Sequence, residues 1–156
     1  MFEEQLEFQL LLEPRIFPSR LDTSFKYPEY SIKLNDKEIH NGYLKEIQTF
    51  KFKEKFNEGY HVLSISFLNK DNDTVADEHG NIIEDLCVQI KQLFINDIEI
   101  SYDILNQACV YNLHKEVDYK NEKITKIDGF HQYLSWNGTW QLKFKSPFYV
   151  WLLDQL

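Results

Sequence analysis

Hydrophobic and polar residues alternate most regularly between residues 61 and 100. The first run there places its large apolar side chains on one face: Leu63, Ile65 and Phe67. A second run begins with Leu86, Val88 and Ile90, and its phase slips by one residue near Gln92. A period of two is typical of half-buried strands, and such a slip indicates a β-bulge or a bend at a sandwich corner. Asn96 and Asp97 predict a type I′ turn, because both residue types tolerate positive φ. The stretch therefore predicts three strands.

The same alternation predicts strands on both sides of this stretch. In chain order they cover residues 5–12, 30–34, a run restarting at Ile39, then 50–56, 107–114 and 139–145. Residues 115–128 are dominated by charge and predict a loop. Asn137 and Gly138 predict a hairpin turn before the last strand. The expected fold is all-β, an antiparallel, jelly-roll-like β-sandwich that spans residues 1–156 as a single domain.

Two segments do not follow the alternation. Residues 14–28 contain three prolines with aromatic residues between them, which favours a binding arm or long loop over a surface meander. At the other end, Ser146 as N-cap and Pro147 as first helical residue predict a short helix within residues 146–156. Apolar groups cover more than one face of that helix. We therefore expect it to contact another subunit, through Phe148, Tyr149, Trp151 and Leu152. The alternative is a helix sunk between the two sheets.

Composition narrows the classes of partner and compartment. The chain has 25 acidic and 17 basic residues, a formal charge of −8, which opposes a nucleic-acid phosphate backbone. Cys87 and Cys109 each lie in a strand-like run and are expected to be buried thiols, not a disulfide. The N-terminus lacks the features of a secretory signal, and no run of 18 apolar residues occurs. We expect a soluble chain made in the cytoplasm, with neither nucleic acid nor membrane as partner.

An oxygen-rich segment between residues 69 and 85 is the strongest candidate for metal binding. Its candidate calcium ligands are Asp71, Asp73, Asp77, Glu84 and Asp85. The EF-hand pattern is excluded, since Val75 replaces an oxygen ligand and Glu78 stands where the sharp turn requires glycine. Two interpretations stay open. The segment forms an irregular calcium site with help from a neighbouring loop, or it is a solvated acidic loop tip.

Catalytic patterns are absent from the sequence. The five histidines lack the spacings of zinc sites, and no phosphate-binding loop or nucleophile elbow occurs. We therefore expect a protein that is not an enzyme. Among the C-terminal aromatic residues, Tyr133 and Trp136 are the candidates for a platform on which a sugar ring stacks. Trp140 shares a face with Leu142 and Phe144, which favours burial in the core.

The stretch from Phe67 to Asp97 resembles the calcium-dependent xylan-binding type of carbohydrate-binding module. The shared features are Phe67-Leu68-Asn69, the acidic insert, the alternating run 86–90 and the turn at Ile95-Asn96-Asp97, about a quarter of the chain. The resemblance implies a β-sandwich that binds a surface glycan with calcium. One position departs from the pattern: Ile83 stands where the family usually has a calcium-binding aspartate.

The C-terminal run from Asn137 to Leu153 is similar to small virion-associated proteins of tailed phages, especially marine ones. That resemblance implies a structural role in a virion, in capsid decoration or in tail or neck attachment, through contacts with other virion subunits or with further copies of this chain. The sequence thus supports two hypotheses of function. The first is a non-enzymatic virion component, and the alternative is a calcium-assisted carbohydrate-binding module.

Overall fold

The structure is a computed structural model that describes residues 1–18 and 25–156. In chain order its elements are β1 (Glu3–Arg15), β2 (Phe17–Pro18), β3 (Phe25–Lys26), β4 (Glu29–Leu34), β5 (Lys37–Tyr43), β6 (Gln48–Asn57), β7 (Gly59–Phe67), β8 (Thr74–Ala76), β9 (Ile82–Asp85), β10 (Cys87–Ile95), β11 (Ile98–Glu99), α1 (Tyr102–Ala108), β12 (Cys109–Tyr119), β13 (Glu122–Asp128), β14 (Tyr133–Leu134), β15 (Gly138–Ser146) and α2 (Phe148–Asp154).

Two antiparallel sheets form the body of the protein. One has the order β11-β10-β1-β6, with β14 also paired to β10, and the other has the order β13-β12-β15-β7-β4-β5. Two short ribbons, β2–β3 and β8–β9, are separate from both sheets. The prediction of an all-β antiparallel sandwich is confirmed.

The core lies between the two sheets, where the alternating apolar faces meet. Phe8 of β1 packs against Phe144 of β15 with ring centroids 6.0 Å apart, and Phe56 contacts both rings. Trp140 is fully buried in the same core, as its shared face with Leu142 and Phe144 predicts. A sheet with one apolar face can bury that face only against another apolar layer. The alternation of apolar and polar residues along the strands therefore locates the core.

The predicted turn and bulge are both present. Asn96 and Asp97 have φ of 51° and 62°, the positive values that a type I′ turn requires. Along β1, Leu11 pairs with Gln92 and Leu12 with Ile90, so the strand β10 carries one extra residue there. The bulge does not turn a sandwich corner, because β10 pairs with β1 on both sides of it.

The prediction of a loop at residues 115–128 is wrong. The end of β12 and the strand β13 form a hairpin, with Lys120 and Asn121 at its turn in positive φ of 50° and 66°. Val117 and Ile124 are paired and half-buried on one face, whereas the other face is charged and exposed. Sparse apolar residues among many charges concealed this alternation. The short helix α1, capped by the Ser101 hydroxyl, is also absent from the sequence prediction.

Gly138 is a strand residue and not part of a hairpin turn, contrary to expectation. It pairs with Leu113 on one side and Phe67 on the other. A Cβ at this position would lie 2.6 Å from the Asn112 carbonyl oxygen and 2.8 Å from the Tyr111 ring. Glycine is therefore needed for close packing against β12, not for a turn conformation.

The C-terminal helix α2 forms, but its N-cap is Pro147 and not Ser146. The main-chain N–H of Phe148 donates instead to the Glu4 carboxylate, at 3.0 and 3.1 Å from its two oxygens. Of the four predicted interface residues, Phe148 and Trp151 are buried in this chain's own core. For these two residues the burial favours the alternative, a helix packed into the core, and an interface at this end of the chain stays a prediction. Tyr149 is 53% exposed and Leu152 is half-buried.

Three further expectations concern the N-terminal arm, the cysteines and membranes. The arm at 14–28 is described except for residues 19–24, and its ends pair with each other as β2 and β3. Cys87 and Cys109 are buried free thiols, as expected, and burial raises the pKa of Cys87 to about 11. Among the described residues, neither helix has the length and apolar character needed to cross a membrane.

Candidate functional site

A cleft of about 520 Å³ opens beside the segment that precedes β15. Its walls are partly aromatic and partly polar, formed by Arg15, Ile82, Asp85, Tyr119, His131, Tyr133, Ser135 and Trp136. These residues come from the ends of β1, β9 and β12 and from the connection that contains β14. Both predicted sugar-stacking residues, Tyr133 and Trp136, therefore line one cleft.

The short strand β14 fixes the orientation of Tyr133. Its neighbour Leu134 is fully buried and pairs with Val88, which joins this connection to the five-stranded sheet. Because successive side chains of a strand point to opposite faces, Tyr133 points outward, and it is 38% exposed. The Arg15 guanidinium lies over its ring, 5.4 Å from the centroid. Cation and ring together form one wall of the cleft.

Trp136 is held between aromatic neighbours. His131 stacks on it at a centroid distance of 6.1 Å, and Tyr119 meets it edge-on at 5.6 Å. His131 also stacks on Tyr111, with ring centroids 5.8 Å apart. Burial lowers the pKa of His131, and the nearby charge of Lys120 lowers it further, so both favour the neutral imidazole. The indole is thus supported by an uncharged layer of rings.

Two groups of hydrogen bonds hold the main chain around Trp136. The Tyr111 hydroxyl donates to the Trp136 carbonyl and accepts from the Trp136 N–H at 3.1 Å. Next in sequence, the Asn137 side-chain amide pairs with the main chain of Lys70, accepting from its N–H at 2.6 Å and donating to its carbonyl at 2.9 Å. Asn137 therefore joins the acidic loop, the oxygen-rich segment between residues 69 and 85, to the wall of the cleft.

The five candidate calcium ligands are not assembled around one point. Asp73 accepts from the Lys26 ammonium at 2.6 Å, and Asp85 is buried and bonded to the Lys70 ammonium. Asp77 accepts from the main-chain N–H groups of His79 and Asn81, and the bond from Asn81 is the main cause of its lowered pKa.

The remaining two ligands are Asp71, which is exposed, and Glu84, which is half-buried on β9. Within residues 1–18 and 25–156, no group of three His, Cys, Asp or Glu side chains could hold a metal ion. Carboxylates that already bind ammonium groups do not fit a calcium site, because the ion needs several free oxygen ligands.

Sequence reasoning missed Arg15, Tyr119 and His131 as lining residues. Tyr119 had a local signal: it precedes Lys120-Asn121, and asparagine at such a position tolerates the positive φ of a hairpin turn. The arrangement of Arg15 over Tyr133 had none, since it depends on how β1 and β14 flank β10 in the sheet.

No protein-family model matches the chain, and no curated protein matches it. Its fold resembles the β-sandwich of a carbohydrate-binding module. One similar solved structure is vCBM60 in complex with galactobiose, with a TM-score of 0.51 and 10% identity, over 87% of this chain and 96% of that chain.

Another solved structure is the selenomethionine form of vCBM60, from work linking two families of calcium-dependent carbohydrate binding modules by circular permutation. It has a TM-score of 0.49 and 12% identity, over 88% of this chain and 89% of that chain. At 10% identity, the similarity to the galactobiose complex shows the fold alone. Neither structure supports the phage origin or the virion role predicted from the C-terminal run.

Proposed function

We propose that the protein binds carbohydrate in the cleft bounded by Tyr133 and Trp136. The observation that carries this proposal is the combination, in one concave site, of aromatic rings and hydrogen-bonding groups. The face of an aromatic ring is electron-rich, so it attracts the polarised C–H groups on the apolar face of a sugar ring. The sugar hydroxyl groups in turn require donors and acceptors at the edges of that platform.

The cleft supplies both kinds of polar partner. Asp85 is an acceptor on these walls, and its Oδ1 atom already accepts from Lys70, Thr74 and Leu86. Arg15 and Ser135 add donors on the same walls. A cleft near 520 Å³ falls within the usual range for small-molecule sites, roughly 300–1,000 Å³, and suits a short oligosaccharide.

The fold supports the same proposal. The module it resembles was solved with galactobiose, and a β-sandwich presents connecting segments at its ends that can hold binding groups rigidly. We retain the expectation that the protein is not an enzyme. In this view the chain contributes recognition of a glycan, and the virion hypothesis is set aside in favour of its alternative.

A glycan array that includes galactobiose and xylo-oligosaccharides would identify a ligand, and calorimetry would measure its affinity. We expect Tyr133→Ala and Trp136→Ala to weaken binding at least tenfold, as loss of about 1.4 kcal/mol or more of stacking implies. The matched control is Tyr43→Ala, an exposed tyrosine on β5 at the opposite edge of the six-stranded sheet.

The control should bind as the wild type does. Circular dichroism should show all three variants folded at the assay temperature, which separates loss of the platform from loss of the fold. An array on which the folded wild type binds no glycan would refute the proposal, as would equal losses in Tyr43→Ala and Trp136→Ala.

A further inference from the structure

We infer that the ammonium groups of Lys26 and Lys70 hold the acidic loop in the place that a metal ion would take, so that the cleft works without calcium. The first half of this inference stands on the ion pairs alone. The second half, that glycan binding is independent of calcium, rests on the proposed function. Both halves oppose the first of the two interpretations of the acidic loop, an irregular calcium site.

Lys70 occupies oxygen ligands of the kinds that calcium prefers. Its ammonium donates to the Asp85 carboxylate and, at 2.7 Å, to the main-chain carbonyl of Leu86. Only 10% of the Lys70 side chain and 4% of the Asp85 side chain are exposed. Thr74 donates to the same carboxylate oxygen at 2.7 Å, and the Leu86 N–H does so at 3.0 Å. This carboxylate is thus buried, neutralised and hydrogen-bonded by the protein itself.

Lys26 does the same for the second sheltered carboxylate of the loop. Its ammonium lies 2.6 Å from Asp73 Oδ2, with 35% of the lysine side chain and 13% of the aspartate side chain exposed. The Asp71 N–H donates to the same oxygen at 2.9 Å, and the Asp73 carbonyl accepts from Leu86 at 3.1 Å. Lys26, which belongs to the N-terminal arm and not to the acidic loop, therefore helps to hold the loop in place.

The balance of charge explains why calcium is not needed. Each ammonium group neutralises one carboxylate, Lys26 that of Asp73 and Lys70 that of Asp85, so neither carboxylate needs a bound cation. To bind there, the ion would have to displace Lys70 from a nearly buried position and leave that ammonium without its carboxylate. An unpaired buried charge is strongly destabilising, so the exchange is unfavourable.

The test measures stability first, since that readout does not depend on any glycan. The Tm of the wild type should be the same in millimolar calcium and in EDTA. Lys70→Met should lower Tm on the order of 10 °C, because Asp85 is then buried without its partner. The double variant Lys70→Met/Asp85→Leu should recover part of that loss, because it removes the unpaired charge as well.

The matched control is Lys53→Met, which breaks the 3.1 Å ion pair between Lys53 and Glu7. The side chains of this pair are 61% exposed for Lys53 and 53% exposed for Glu7. Exposed pairs contribute little to stability, so its Tm should stay close to that of the wild type. If calcium raises the wild-type Tm, or if Lys70→Met and Lys53→Met behave alike, the ion pairs are not the device that holds the loop.

Glycan affinity, measured with and without EDTA, tests the second half. Equal affinities are expected, and a tenfold loss in EDTA would overturn calcium independence even if the Tm is unchanged. Should the wild type bind no glycan at all, the proposed function fails, while a calcium-insensitive Tm with a destabilised Lys70→Met still supports the lysine-held loop. The two failures are therefore distinguishable.

Discussion

The hydroxyl group of Tyr111 contacts both main-chain polar groups of Trp136, donating to the carbonyl and accepting from the N–H at 3.1 Å. Tyr111 is fully buried on β12, and burial raises the pKa of its phenol, so the hydroxyl stays protonated and able to donate. One buried side chain therefore fixes the main chain of a residue that lines the proposed binding cleft.

We predict that Tyr111→Phe lowers the free energy of unfolding by about 1–3 kcal/mol, because two main-chain groups of Trp136 lose their partner. Glycan affinity should fall too, since the indole is no longer held in place. Urea denaturation measures the first effect and calorimetry the second. Tyr60→Phe, at a 63% exposed tyrosine, is the matched control and should change stability by less than about 0.5 kcal/mol. Equal stability of Tyr111→Phe and wild type would contradict the prediction.

The sandwich could be predicted from the sequence because its strands carry the alternation that burial imposes. Leu63, Ile65 and Phe67 are all fully buried, as their period of two requires. The strands of the β12–β13 hairpin lack a clear alternation, because their exposed faces place few apolar residues among many charges, and Asn121 is the local signal of its turn. Gly138 misled for a different reason: glycine serves turns and close packing alike, and only the packing of Tyr111 distinguishes them.

The candidate site was harder to predict than the fold because its groups come from distant parts of the chain. The sequence predicts Tyr133 and Trp136 as stacking residues from among the C-terminal aromatic residues, and in the structure both line one cleft. In the acidic loop, the carboxylates alone indicate a calcium site. Lys26, which binds Asp73 across 47 positions of sequence, could not be assigned to it by any local pattern.

Ser146, which precedes the cap residue Pro147 of the C-terminal helix, offers a prediction opposite to the one its sequence implies. The Ser146 hydroxyl is buried and makes no hydrogen bond within the described residues. If Ser146 were the N-cap, its replacement by alanine would lower the free energy of unfolding by about 1 kcal/mol. We instead expect Ser146→Ala to leave stability unchanged or to raise it by up to about 1 kcal/mol, since it removes an unsatisfied polar group.

Glu4→Gln is the companion variant, because the Glu4 carboxylate accepts the Phe148 N–H that an N-cap would take. It should lower stability by about 0.5–2 kcal/mol, as loss of a charged cap does. Thermal and urea unfolding of the two variants decide the matter. A clear loss in Ser146→Ala would restore serine as the cap and contradict the prediction.

The depressed pKa of His131 predicts a pH dependence of stability. Burial, and secondarily the charge of Lys120, disfavour the protonated imidazole in the folded state and lower its pKa. A histidine in the unfolded chain has a pKa of about 6.5. The unfolded chain therefore binds more protons below that pH, and the folded state loses stability as the pH falls from about 7 to 5. The wild-type Tm should decrease over this range.

Other groups titrate in the same range, so the prediction is a difference between two proteins. His131→Gln removes this titration and keeps a polar side chain beside Trp136 and Tyr111. Its Tm should decline less steeply than that of the wild type between pH 7 and 5. Parallel curves would show that His131 is not depressed in the folded state.

The two sides of helix α2 lead to a final pair of predictions. Trp151 is 7% exposed and packs against Phe148 and Phe144, with ring centroids 5.9 and 6.5 Å away. Replacing such a residue by alanine removes a large buried group and leaves a cavity. We therefore expect Trp151→Ala to lower the free energy of unfolding by about 3–5 kcal/mol, measured by urea denaturation.

Tyr149 lies on the opposite side of the helix and is 53% exposed, so Tyr149→Ser should change stability by less than about 1 kcal/mol. If this end of the chain binds a second copy, light scattering should show association in the wild type that Tyr149→Ser weakens. The interface would then lie on the exposed side of α2 and would not involve its buried aromatic residues. A folded, stable Trp151→Ala that loses association would reverse this assignment, because it would show the tryptophan to be available to a partner.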